Sequence, residues 1–162
     1  TDQPIENLMA LAPPRVISLW HVLEHLRDPG EMLAAAAGHL EPGGVLALGV
    51  PNPASLQFRL LGSRWAHLDA PRHLSLVPAE ALASRLRSLG LRQVEAMTGD
   101  PFGRYCSLHG WAWALRRRPA AGQARVGVMR LAQAITLALG PIEHRHNRGA
   151  ALTLLFAKDA PS

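Results

Sequence analysis

His21, Glu24 and His25 stand at positions i, i+3 and i+4 of one short segment, HVLEH. A carboxylate set beside two imidazoles can do three kinds of work. An imidazole near its ordinary pKa can take a proton from a nucleophile at neutral pH. Glu24 and His25 can instead hold a turn through helix-start hydrogen bonds. Residues at this spacing share one helix face, so all three could converge on a cation. A further imidazole, His73, closes the run RWAHLDAPRHL, which also carries Trp65, Asp69 and Arg72.

The elements around HVLEH place it at a strand end. Arg15–Trp20 is a continuous apolar run, which reads as a strand buried on both faces. Asp28-Pro29-Gly30-Glu31 starts a helix, with Asp28 as cap, Pro29 in the first helical position and Glu31 third. That helix should run to about Leu40, burying Met32, Leu33, Ala36, Ala37 and Leu40. Gly43-Gly44 turns the chain into a second strand, Val45–Val50. Strand, helix and strand with short links form a right-handed βαβ unit with parallel strands. Ligands of open α/β sheets bind just beyond the carboxyl ends of the strands, where HVLEH lies. The segment also spells H-x-x-E-H, a zinc-hydrolase signature that requires a helical setting and another carboxylate downstream. A buried strand before it and Pro29-Gly30 after it argue against that reading.

Further along, 54–77 is a long irregular segment with a short helix near Leu56–Leu61, and loops of this length are usually functional. Pro78 opens an amphipathic helix with Leu82, Leu86 and Leu89 inward, Arg85 and Arg87 outward, and Gly90 at its end. Leu91–Thr98 reads as a third strand. Helical patterns cover about Arg104–Arg117 and Ala124–Leu139, parted by Pro119-Ala-Ala-Gly122, and Pro141 should end the second. Their Trp111, Trp113, Leu115, Met129, Leu131 and Ile135 read first as core. The polar turn 143–149, with His144 and His146 solvated, leads to a last strand, Ala150–Ala157. Residues 1–14 form a loop or one helical turn over Ile5–Leu11.

The 162 residues suit one domain, and 48% hydrophobic with 18% charged residues suits a soluble globular chain. No apolar run reaches the ~18 residues of a membrane span. No signal peptide is visible, and Cys106 is the only cysteine, so a reducing, cytoplasmic compartment is expected. Net charge is +5, nearly all from scattered arginines. Without aromatic residues interleaved in sequence as a stacking platform, nucleic acid is not expected as a partner. The chain starts with Thr1 rather than Met, as a processed or shortened product would.

Three pieces taken as a set carry a resemblance: a strand running into HVLEHLRDP, then LEPGGVLALGVPN, then RxxGxRWxHLDAPRHL. Together they resemble the class I S-adenosylmethionine-dependent methyltransferases, in the subgroup near the ubiquinone-biosynthesis O-methyltransferases. The resemblance covers about residues 15–98 and extends to the last strand. It implies a partial Rossmann-like α/β sheet with strands equivalent to 4-5-7-6 and the last one antiparallel. Residues 1–14 would be a lead-in, 15–98 a βαβαβ core, 101–149 a helical insertion and 150–157 the last strand. The family's glycine-rich turn after its first strand and the acidic residue after its second have no counterpart here, so the chain corresponds to the C-terminal half of such a domain.

The function this implies is methyl transfer from S-adenosylmethionine to a small-molecule acceptor, with the isolated chain itself inactive. Leu19, Trp20 and His21 would contact the cofactor. His21, His25 and His73 are the candidate bases. Trp65, Asp69, Arg72 and His73 would border the acceptor pocket; alternatively they form a clasp, with Trp65 packed and Arg72 paired to Asp69. No metal is expected. Some relatives have ExxEH at this place and bind a divalent cation; His21 replaces the first Glu here, which would favour zinc over magnesium on His21, Glu24, His25 and His73. A competing reading is a truncated, non-catalytic association module. In either case the strand at 15–20 lacks a neighbour on one side, and its edge should self-associate or be covered by the N-terminal segment.

Overall fold

The computed structural model describes residues 4–116 and 122–160. Four strands form one sheet: β1 (Val16–Trp20), β2 (Val45–Pro51), β3 (Leu91–Met97) and β4 (Ala151–Lys158), in spatial order β1-β2-β4-β3. β1 and β2 are parallel, with Val16 opposite Val45. β4 runs antiparallel to both β2 and β3. This order, and the reversed last strand, match the arrangement that the resemblance implies.

Between β1 and β2 lies α2 (Pro29–His39). Its Asp28 cap accepts a 2.9 Å hydrogen bond from the Glu31 amide, as the capping pattern requires. Met32, Leu33, Ala36, Ala37 and Leu40 are all buried. They pack with α4 (Ala79–Ser88) against alternate residues of the sheet: Ile17 and Leu19, Leu46 and Leu48, Leu154 and Phe156. A short α1 (Pro4–Met9) lies beside this core, contributing Ile5 and Leu8.

Past β2 the chain forms α3 (Leu56–Leu61), two single 3-10 turns and an irregular strap before α4. α5 (Pro101–Leu115) packs its Cys106 against Ala151 of β4, and α6 (Gly122–His144) packs on α5 through Ala132, Trp111 and Ala112. Among the described residues no helix is long and apolar enough to cross a membrane.

Several expectations need correction. β1 is buried on one face only: Val16 is 63% and Trp20 43% exposed while Ile17 and Leu19 are buried. The strand is at a sheet edge, and α2 covers just one of its faces. α5 starts at Pro101, before Arg104, because Asp100 caps it by accepting from the Gly103 amide. Pro141 does not end α6, which continues to His144. Its ring removes a bond to Leu137, but both residues face solvent, so water can satisfy the freed carbonyl. Glu143 is not in a solvated turn: it is fully buried and accepts from the Trp111 indole at 2.9 Å. Of the Pro119-Ala-Ala-Gly122 break, 119–121 lie outside the described residues, and Gly122 is the first residue of α6.

Candidate active site

The HVLEH segment leaves the sheet at its carboxyl edge. The His21 amide adds one more bond to the ladder, donating to Gly49 at 2.9 Å. His21 then takes a left-handed conformation, φ 51°, which L-residues adopt only at a cost of about 1–2 kcal/mol. That turn lifts its imidazole off the sheet, toward the side chain of Glu24. The following residues, Leu23–His25, make a single 3-10 turn instead of an α-helix. The helical setting required by the hydrolase signature is therefore missing.

Glu24 is at the centre of the site. It is 2% exposed, and its Oε1 accepts a 2.5 Å hydrogen bond from Nδ1 of His21. His73 Nε2 stands 4.0 Å from the same oxygen. Oε2 of Glu24 is buried without a partner. Burial by itself would raise the Glu24 pKa; the bonds from His21 and from its own backbone amide, with the charge of the neighbouring imidazoles, outweigh it and leave the carboxyl below its ordinary value. The Glu24 carbonyl accepts from the Leu74 amide at 2.7 Å, which straps the 66–75 loop onto the 3-10 turn.

Each neighbouring imidazole is oriented by a backbone carbonyl. His25 donates from Nδ1 to Arg72 at 3.0 Å, His73 from Nδ1 to His67 at 2.7 Å, and His67 from Nε2 to Cys106 at 3.1 Å. The rings of His25 and His73 meet edge-on with centroids 4.8 Å apart, and His67 stacks on His21 at 6.4 Å. Burial pushes the His67 pKa down, so this ring is neutral near pH 7. On its other side His21 Nε2 lies 3.8 Å from Cys106 Sγ. The Cys106 pKa is pushed up to about 12, by burial first and then by Asp100 and Glu24, so the group is a thiol that can donate to His21 and not a thiolate nucleophile.

The sequence-predicted residues divide into three groups. His21, His25 and His73 converge on Glu24. Leu19 is buried; with His21 it lines an open cleft of about 550 Å³ beside the free edge of β1, which Leu8, Leu11 and Leu26 also line. Trp20 is half-exposed and sits edge-on to Phe102. Trp65 is buried against Phe58 and His67, and Asp69 and Arg72 pair with each other at 2.7 Å on the exterior, which is the clasp arrangement. Glu24, His25 and His73 can present one ligand atom each within 4.8 Å of one another, an N,N,O donor set of the kind divalent ions take. His67 and Cys106 escaped sequence reasoning. His67 sits in the same run as His73, six residues earlier, but Cys106 reaches His21 across 85 positions, and no local pattern signals that.

A methyltransferase-domain family model matches residues 4–96. The chain belongs to the methyltransferase-domain family. It is 34% identical over 106 residues to the ubiquinone biosynthesis O-methyltransferase of Xanthomonas euvesicatoria, covering 60% of this chain and 44% of that protein. It is also similar to the enzyme of that name from Bordetella pertussis, 30% identical over 96 residues, covering 54% of this chain and 40% of the relative. The chain thus spans under half the length of these curated relatives. Its fold is similar to the crystal structure of a SAM dependent methyltransferase from Archaeoglobus fulgidus, with a TM-score of 0.55 and 20% identity over 95% of this chain and 64% of that one. An O-methyltransferase family protein from Burkholderia thailandensis is similar at a TM-score of 0.52 and 15% identity, covering all of this chain and 35% of its own.

Proposed function

We propose that this domain takes part in methyl transfer from S-adenosylmethionine to a small-molecule acceptor, with His21 as the proton-accepting group. The observation that carries this reading is the His21–Glu24 pair at the carboxyl end of β1 in a methyltransferase-domain chain. Glu24 accepts a hydrogen bond from the Nδ1–H of His21, which fixes the tautomer and leaves Nε2 as the basic nitrogen. An acceptor hydroxyl or amine hydrogen-bonded to Nε2 would pass its proton to that nitrogen as its own oxygen or nitrogen bonds the methyl carbon and the carbon–sulfur bond breaks, releasing S-adenosylhomocysteine. Positioning that acceptor in line with the sulfonium would supply most of the acceleration. His25 and His73 support Glu24, and Leu19 and Trp20 would flank the cofactor. The sheet order β1-β2-β4-β3 supports equivalence to family strands 4-5-7-6.

The chain carries no glycine-rich turn ahead of β1, so half of a cofactor pocket has no counterpart in it. Calorimetric titration of S-adenosylmethionine should therefore give no measurable binding to this chain, and clear binding to a longer chain that supplies a glycine-rich first half. Tight binding by this chain would refute its incompetence. Failure of both would favour an association module.

One observation favours a second reading of the same cluster. The unpartnered Oε2 of Glu24 with His25 and His73 in reach suits a divalent cation, which would polarise an acceptor oxygen. Zinc should then raise the melting temperature of the chain, and His73→Gln should abolish the rise.

A further inference from the structure

A second cavity lies apart from the His21–Glu24 pair, between α5 and α6. It measures about 320 Å³, within the range of small-molecule sites. Its lining runs from buried Ala112 through half-buried Val128 and Met129 to the exposed Trp113, Arg116 and Arg125. An apolar floor gives water no partners, whereas the guanidiniums at the exposed end match a carboxylate, sulfonate or phosphate. Among the described residues neither Arg116 nor Arg125 forms an ion pair. The two helices themselves are one-signed along this stretch: from Pro101 to Ile142 there are six arginines and no Asp or Glu. Trp113 is 59% exposed, an aromatic face left open beside the two cations.

From these features we infer that the α5–α6 cleft binds a small acidic amphiphile, one anionic group on an apolar body. An inorganic anion would forfeit the Val128 and Met129 contacts, and a neutral amphiphile would forfeit Arg116 and Arg125. The cleft also touches Ala66, the chain neighbour of His67, whose ring stacks on His21. A role for an occupant as the methyl acceptor rests on the proposed methyl transfer. The binding itself does not.

Calorimetry with sodium decanoate, kept below micelle formation, tests the assignment on this chain without S-adenosylmethionine. One site per chain is expected. Decyl glucoside should bind at least about tenfold more weakly, and the double variant Arg116→Gln, Arg125→Gln should lose about tenfold for decanoate but nothing for decyl glucoside, as the removal of two exposed charge-assisted contacts requires. Equal affinity for the neutral probe, or an unaffected double variant, overturns the inference. So does binding to phosphatidylglycerol vesicles with none to monomeric decanoate, which would make this face a membrane surface. The cofactor titration reads the methyl-transfer proposal separately, so either idea can fail alone.

Discussion

Two side chains of the site tie its integrity to pH in the same direction. His67 is held below its ordinary value of 6.5 mainly by burial, and Glu24 below its ordinary 4.5 despite burial. In both cases the unfolded chain binds the proton more readily, so stability falls as pH falls. The His67 contribution is complete above about pH 6.5 and drains away below it, toward its folded pKa; the Glu24 contribution follows below about pH 4.5. Melting temperatures recorded from pH 8 to 5 should decline below 6.5, and His67→Gln should flatten that limb. An unchanged slope in the variant would refute the assignment to His67. At this scale the sequence displayed the right residue types and their local pairings, and hid the distant partners. HVLEH and HLDAPRH announce imidazoles and a carboxylate, and Asp69–Arg72 is local enough to anticipate. That His73 closes on Glu24, and Cys106 on His21, depends on chain returns of about fifty and eighty residues, which no spacing encodes.

At the scale of elements, α5 comes close to α3 because Gly110 has no side chain. A Cβ there would lie 2.0 Å from Gln57 Oε1, on a side chain that is fully buried and donates to Ser107 at 2.7 Å. Gly110→Ala should therefore cost about 1–3 kcal/mol, read by chemical denaturation; a neutral or stabilising result would show that the α3–α5 contact yields easily. Elements with local signals were legible: the Asp28 cap with Pro29, the parallel β1–β2 pair, the short helix Leu56–Leu61 and the glycine stop at Gly90. Elements decided by tertiary context were not. α6 crosses Pro141 where the helix face is exposed and the freed Leu137 carbonyl is open to solvent, and Glu143 goes inward because Trp111 offers an indole proton.

At the scale of the whole molecule, β1 pairs with β2 alone among the described residues, and α1 lies against the core without bonding along the free edge. Exposed Val16 and Trp20 flank that edge. Light scattering should show mass rising with concentration, and Val16→Lys with Ser18→Lys should return it to that of a single chain, since edge lysines block strand addition. A wild-type chain of constant single-copy mass would refute edge pairing. The β2–β4 seam has a consequence of another kind. Val45 bonds opposite Ala157 and Pro51 opposite Ala151, partners from 100 to 112 positions apart. During synthesis β1, α2 and β2 must wait, one flank of β2 uncovered, until a strand 100 or more positions further on has been made. Chaperones that shield nascent apolar surface would engage this flank in the interval, and removal of β4 would open the middle of the sheet instead of trimming its rim.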